Sequence, residues 1–150
     1  MMSLRPMSLV GLKRISKSPE ETISIGEEIG QLLPQSQVVC FTGDLGAGKT
    51  TLIKGISSKI TGLPPFEINS PTFNYLHIYE GKETLYHFDC YRLNGPQDFL
   101  ERGLDEYFGF LCLVEWPERI APILPPNRVM IKIEYHGEKE RVIRYEESPL

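Results

Sequence analysis

The stretch 43–51, Gly-Asp-Leu-Gly-Ala-Gly-Lys-Thr-Thr, combines residue types and spacing that suit the binding of a polyphosphate. It fits the pattern G-x-x-x-x-G-K-[ST] without a mismatch. Gly46 and Gly48 lack a Cβ, so the backbone can approach phosphate oxygens closely. Lys49 brings a positive charge to the β- and γ-phosphates, and the Thr50 hydroxyl suits a magnesium ion. The alternative is a glycine-rich turn that binds nothing.

The flanking residues favour phosphate binding over that alternative. The apolar, β-branched run 38–42 predicts a buried strand, and the apolar residues between 52 and 60 recur at the spacing of one helix face. Strand, glycine loop and helix are the context that the motif requires, because main-chain amides and the helix N-terminus together attract an anion. The residues predicted to contact nucleotide here are Asp44, Leu45, Gly46, Ala47, Gly48, Lys49, Thr50 and Thr51.

Hydrolysis of a nucleotide also needs a metal site and an oriented water, which acidic residues at strand ends can supply. Glu115 follows the apolar run 110–114, which predicts a strand buried on both faces. Asp89 lies in the predicted strand 84–93, where a carboxylate is costly unless it meets a cation or donors. We predict that Glu115 and Asp89 act with Lys49 in catalysis.

The same carboxylates, together with Thr50, are the predicted magnesium ligands. Each carboxylate also has a structural alternative: Glu115 is a solvated loop carboxylate, or Asp89 forms a structural salt bridge with Arg92 or Arg119. Either Asp89 or Glu115 is the main metal ligand.

Two further residues are candidates for contact with the nucleotide. Thr72, after Ser70-Pro71, either senses the γ-phosphate or simply precedes a strand. Trp116, the only tryptophan, lies near the nucleotide, presents a partner surface or packs structurally. His77, His87 and His136 are predicted to be sheet residues with satisfied nitrogens, because no metal-ligand spacing is present.

Chain length and composition predict one domain over residues 1–150. The net charge of −4 and pI near 5.4 disfavour a direct grip on DNA or RNA, although not action on RNA through a partner. Cys40, Cys90 and Cys112 are predicted to be reduced thiols. No apolar run approaches the length of a membrane span, and the N-terminus lacks a signal-peptide core. We therefore predict a cytoplasmic protein with no membrane partner.

The remaining pattern predicts the elements that position these groups. Ser18, Pro19 and Glu21 signal a helix start, Pro34 ends that helix, and Gly62 ends the next. Other predicted elements are an edge strand at 9–15, strands at 74–80, 84–93, 110–114, 128–136 and 141–145, and short helices at 96–102 and 104–108. The predicted fold class is α/β and P-loop NTPase-like, with a mixed central sheet, helices on both faces and an antiparallel C-terminal edge.

Four blocks of sequence together resemble the TsaE family, formerly YjeE, the ATPase component of bacterial tRNA threonylcarbamoyladenosine biosynthesis. They are Gly-Asp-Leu-Gly-Ala-Gly-Lys-Thr-Thr at 43–51, Ser-Pro-Thr-Phe at 70–73, His-Phe-Asp-Cys-Tyr-Arg-Leu at 87–93 and Val-Glu-Trp-Pro-Glu at 114–118. The phosphate loop alone is generic, whereas the full set in this order is specific. Cys90 departs from the aliphatic residue that members often carry, a conservative change for a buried site.

The resemblance implies a weak intrinsic ATP hydrolase that uses ATP and Mg²⁺. It implies docking onto TsaB and TsaD-like proteins, which modify the adenosine beside the anticodon, so tRNA is contacted only indirectly. The family's ATPase does not itself transfer the threonylcarbamoyl group. By matching positions, the ATPase residues are Lys49, Thr50, Asp89 and Glu115, with Thr72 and Trp116 near the nucleotide or the partner surface.

Two other functions remain as alternatives. One is a nucleotide-gated interaction module in which hydrolysis is incidental. The other is a small-molecule kinase, although the chain shows no arginine-rich lid and little room for an acceptor pocket. A GTPase is disfavoured because neither N-K-x-D nor D-x-x-G occurs.

Overall fold

A seven-stranded mixed sheet is the frame of the computed structural model, which describes residues 9–34, 36–43, 48–69 and 74–146. Its strand order is β1-β7-β6-β2-β5-β4-β3. The strands are β1 Lys13–Ser16, β2 Val38–Gly43, β3 Leu76–Tyr79, β4 Leu85–Asp89, β5 Cys112–Glu115, β6 Val129–His136 and β7 Glu140–Glu146.

The middle of the sheet is parallel. Strand β2 pairs with β5 on one side and β6 on the other, and β5 pairs with β4, all in parallel. The carboxyl ends of β2, β4 and β5 therefore meet at one edge of the sheet. In open α/β sheets this edge is where ligands bind.

Two long helices cover one face of the sheet. Helix α1, Pro19–Leu32, begins as predicted: the Ser18 side chain accepts from the Glu21 amide at 3.1 Å, and the Glu21 carboxylate accepts from the Lys17 amide at 2.7 Å. Helix α2, Lys49–Thr61, ends at Gly62 in the left-handed conformation. The two helices approach so closely that a Cβ on Gly55 would lie 2.2 Å from the Ile23 carbonyl oxygen.

The opposite face is covered by helix α3, Pro96–Glu101, and by the 3₁₀ segments Leu104–Gly109 and Pro117–Ile123. Each face has its own apolar core. Phe41, Leu85 and Leu113 point toward α1 and α2, whereas Phe88 packs with Phe99 on the other side. Helices on both faces of a mixed sheet are thus confirmed. Among the described helices, none combines the length and apolar character that a bilayer span requires.

The prediction that the last strand forms the sheet edge is wrong. Strand β7 is antiparallel to β6, as expected, but β1 pairs along its other side. The Tyr145 amide also donates to the Leu12 carbonyl at 3.0 Å. An unpaired β7 would leave backbone groups exposed, and β1 supplies their partners.

Two strand boundaries also differ from the prediction. Strand β4 ends at Asp89, because the Asp89 carboxylate accepts from the Tyr91 amide at 3.0 Å and turns the chain. Strand β5 begins at Cys112, and Phe110 lies outside it with 52% of its surface exposed. Asp89 therefore lies at a strand end, where Glu115 also lies.

Candidate functional site

The start of helix α2 has the features of an anion site. Gly43 and Gly48 both have positive φ, and a Cβ on Gly43 would lie 1.7 Å from the Ile133 carbonyl oxygen. Gly48 caps α2 without a side chain, and the first turn of the helix carries no acidic residue. The partial positive charge of this helix end therefore has no carboxylate of its own first turn to neutralise it.

Lys49 lies at the first position of α2 and faces this end of the sheet. Its ammonium contacts the Gly43 carbonyl at 3.4 Å and lies 4.9 Å from the centre of the Trp116 ring. Within the described ranges it forms no salt bridge with a carboxylate. A lysine held by a carbonyl and an aromatic face keeps its charge available for an anionic ligand.

Asp89 and Glu115 are direct neighbours at the ends of β4 and β5. Glu115 is also in register with Phe41 of β2, two residues before Gly43, and is nearly fully buried. Asp89 is half-buried, and its pKa lies above the ordinary value because of burial and the nearby Glu115 charge, opposed by the Tyr91 amide. The structure thus brings the two predicted acidic residues together beside β2, the strand that ends at Gly43.

A buried histidine holds Glu115. The Nε2 atom of His87 lies 2.8 Å from Oε2 of Glu115, and the His87 side chain is only 1% exposed. Its Nδ1 is buried without a hydrogen-bond partner. The prediction that this histidine is a sheet residue with both nitrogens satisfied is therefore wrong. The available signal was its period-two spacing from Asp89, which places both side chains on one face of β4.

Backbone strain marks the same region. Trp116 and Tyr75 have φ values of 56° and 62°, which non-glycine residues seldom adopt. The Tyr75 backbone carbonyl accepts from the Asp89 amide at 2.9 Å, and the Trp116 ring packs on the Tyr91 ring with centres 4.8 Å apart. Strained residues held by their surroundings concentrate at functional sites. A hollow of about 150 Å³ lies here, lined by Tyr75, Asp89, Tyr91 and Arg92.

A larger hollow of about 390 Å³ lies on the other side of the α2 start. It is bordered by Gly48 and Thr51, by the beginning of α1, and by the β6–β7 turn. Three cationic residues line it: Lys17, Lys139 and Arg141. The hollow thus reaches Gly48 and Thr51 at the start of α2, and its charged lining residues are positive.

The predicted site residues divide into three groups. Lys49, Thr50 and Thr51 form the first turn of α2, next to Gly48. Asp89, Glu115 and Trp116 lie at the neighbouring strand ends. The predictions for Asp44, Leu45, Gly46, Ala47 and Thr72 fall outside the described residues.

The chain that carries this site is similar to a known protein family. The family model described as "Threonylcarbamoyl adenosine biosynthesis protein TsaE" matches residues 16–143. The chain belongs to the TsaE family. The match includes α1, α2 and the strand ends that carry Asp89 and Glu115.

Individual TsaE proteins are similar in sequence to this chain over most of its length. The tRNA threonylcarbamoyladenosine biosynthesis protein TsaE of Treponema pallidum is 39% identical over 134 residues, covering 88% of this chain and 98% of the relative. The TsaE protein of Bacillus subtilis is 40% identical, covering 89% and 84%. The crystal structure of Bacillus subtilis YdiB aligns with a TM-score of 0.71 at 36% identity, covering 90% of this chain and 84% of that one.

Proposed function

We propose that this protein is a Mg²⁺-dependent ATPase with a P-loop NTPase-like fold. We further propose that it is required for N6-threonylcarbamoyladenosine modification of tRNA, since its relatives are named as tRNA threonylcarbamoyladenosine biosynthesis proteins. The observation that carries the proposal is Lys49 at the start of α2, which has no side-chain cap and no acidic residue in its first turn, beside two carboxylates at adjacent strand ends. A metal-bound polyphosphate would use the positive charge for its phosphate oxygens and the carboxylates for its metal ion.

The binding half of the site fits a nucleoside triphosphate. Lys49 and the first amides of α2 present positive charge toward the same edge of the sheet, and Gly43 and Gly48 keep the backbone bare of side chains. We assign the ribose and base to the 390 Å³ hollow beside Gly48 and Thr51, because that hollow adjoins the phosphate end. Lys17, Lys139 and Arg141, which line it, would donate hydrogen bonds to the ribose and base.

The catalytic half consists of Glu115 and Asp89. Within the described ranges, no three His, Cys, Asp or Glu side chains converge on one point, which suits Mg²⁺ better than a metal held entirely by protein. Mg²⁺ is bound in such sites by one or two carboxylates plus substrate phosphates, and it neutralises charge on the transferred phosphoryl group. Thr50 and Asp89 would help to hold the ion, and Glu115 would hold it or orient the attacking water.

We propose that the protein acts in the cytoplasm with TsaB and TsaD-like partners and reaches tRNA only through them. The net charge of −4 supports this arrangement, since direct RNA binding relies on basic surfaces. The three buried, unbridged cysteines fit a reducing compartment. Transfer of the threonylcarbamoyl group would remain with the partners.

The decisive experiment measures Mg–ATP binding by calorimetry and hydrolysis by phosphate release, with the protein alone and with the two partners. We expect binding in both cases, and slow hydrolysis that Lys49→Ala and Glu115→Ala abolish. Absence of binding to any nucleoside triphosphate would overturn the proposal. Phosphate transfer to a small-molecule acceptor in place of water would favour the kinase alternative.

A further inference from the structure

The contact between His87 and Glu115 joins a residue without a predicted role to the acidic residue at the centre of the proposed site. In the parallel pair β4–β5, Asp89 is opposite Glu115 and His87 is opposite Leu113. His87 therefore lies one step deeper in the sheet than Glu115 and on the same face. Leu85, Leu113 and Phe41 of that face pack in the core beneath α1 and α2, so this is the side on which α2 runs.

His87 has no route to a ligand of its own. It is fully buried, and its side chain reaches outward only as far as Oε2 of Glu115 at 2.8 Å. Because a carboxylate accepts hydrogen bonds, Nε2 is the protonated nitrogen of this pair. The bond fixes one oxygen of Glu115, and the plane of the carboxylate then sets the direction of the other.

The pair is costly for the fold, which argues against a purely structural role. Nδ1 of His87 is buried without a partner, so the ring leaves a polar atom unsatisfied in an otherwise apolar face. A leucine would fill this core position without that cost. Polar groups that break the local rules of a core are expected at functional sites.

We propose that His87 is a positioning residue that holds the Glu115 carboxylate in the orientation required for ATP hydrolysis. This inference rests on the proposed function. It assigns His87 no contact with nucleotide or metal, so its loss should lower kcat and leave nucleotide affinity nearly unchanged. Loss of a group that orients a metal-site ligand typically lowers activity about 10- to 100-fold.

Three substitutions at position 87 test the geometry of the bond. The amide nitrogen of glutamine extends about as far along the side chain as Nε2, whereas that of asparagine extends only as far as Nδ1. We expect His87→Gln to retain most of the hydrolysis rate, and His87→Asn and His87→Leu to lose about 10- to 100-fold in kcat. The dissociation constant for Mg–ATP should stay within about threefold in all three, since His87 lies outside the binding contacts.

His77→Leu is the matched control, because His77 is paired with His87 across β3 and β4 but is exposed. We expect it to leave kcat unchanged. In a Glu115→Gln background, His87→Leu should cause no further loss, because both changes act through one carboxylate. Circular dichroism and Mg–ATP binding establish that each variant is folded, and His87→Gln against His87→Asn keeps the test valid if leucine unfolds the chain.

The outcomes distinguish failure of the proposed ATPase function from failure of the role assigned to His87. A wild-type protein that binds Mg–ATP and hydrolyses none of it, with or without partners, overturns the proposed function. A wild-type protein that hydrolyses ATP, with Glu115→Gln inactive and His87→Leu fully active, overturns the role of His87 alone. Equal activities of the glutamine and asparagine variants would do the same.

Discussion

The ammonium of Lys49 lies 4.9 Å from the centre of the Trp116 ring, so the predicted phosphate ligand and the residue after Glu115 are in direct contact. The contact links α2 to the end of β5 across the predicted nucleotide site. It also makes the only tryptophan of the chain a neighbour of the charge that would meet the phosphates.

We expect Trp116 fluorescence to report nucleotide binding. Mg–ATP should draw the Lys49 ammonium from the ring toward phosphate oxygens and change the emission. Lys49→Ala should raise the dissociation constant about 10- to 100-fold, because a hydrogen bond to a charged group contributes about 1.5–3 kcal/mol. The measurement is an emission titration with Mg–ATP, and Lys59→Ala, in the last turn of α2, is the control. An unchanged affinity of Lys49→Ala would contradict the assignment of the phosphate site.

Glu115→Gln should separate binding from hydrolysis. Glutamine keeps the volume and can still accept from His87, but it has no charge with which to orient and activate the attacking water. We expect Mg–ATP affinity within about threefold of wild type and a hydrolysis rate lower by about 10²- to 10⁴-fold. Single-turnover phosphate release measures this.

The exposed neighbour Glu118 provides the control, since Glu118→Gln should change neither quantity. If Glu115→Gln hydrolyses no ATP and still supports repeated rounds of tRNA modification with the partners, the nucleotide-gated interaction module is the better description. If it hydrolyses ATP at the wild-type rate, Glu115 has no catalytic role.

Asp89→Asn should stabilise the ligand-free protein at neutral pH. Burial and the Glu115 charge raise the pKa of Asp89 in the folded state, so its ionised form is less favourable there than in the unfolded chain. The destabilisation is present above the folded pKa and disappears as pH falls below about 4, where both states are protonated. We therefore expect a higher free energy of unfolding for Asp89→Asn at pH 7, and convergence with wild type by about pH 3, below both pKa values, in urea titrations.

Asp98→Asn should change the free energy of unfolding in the opposite direction and destabilise the protein at neutral pH. The Asn94 amide and Arg102 lower the pKa of Asp98, so its charge stabilises the folded state above the unfolded pKa, and that stabilisation is lost as pH falls. A gain from Asp89→Asn that is equal at about pH 3 and at pH 7 would show that charge is not its cause.

Gly43→Ala should destabilise the fold far more than Gly137→Ala. Both positions have positive φ, but only at Gly43 would the new Cβ collide with backbone, 1.7 Å from the Ile133 carbonyl oxygen. We expect a loss of about 2–5 kcal/mol at Gly43, from strain and steric overlap, and about 1 kcal/mol at Gly137 from the backbone conformation alone. Thermal or urea unfolding compares the two, and equal losses would be inconsistent with the close approach of β2 and β6.

Features encoded by neighbouring residues were predictable. The helix start at Ser18 and Pro19, the end of α2 at Gly62, and the order of β2 before α2 follow from caps and periodicity within a few residues. The four family blocks were also visible as short contiguous runs, and the family comparison confirms what they indicated. Caps, periodicity and family blocks can be recognised without knowledge of the fold, because each lies within a short run of neighbouring residues.

Pairings between distant parts of the chain required the tertiary structure. Asp89 and Glu115 are 26 residues apart and become neighbours only because β4 and β5 are adjacent and in register. The same pairing turns His87 from one histidine in an aromatic strand into the partner of Glu115. The pairing of β1 with β7 is likewise a long-range contact. It is formed by backbone hydrogen-bonding groups, which every residue carries, so the side chains do not reveal it. Periodicity tells which face a side chain occupies, whereas strand order and register determine what it meets there.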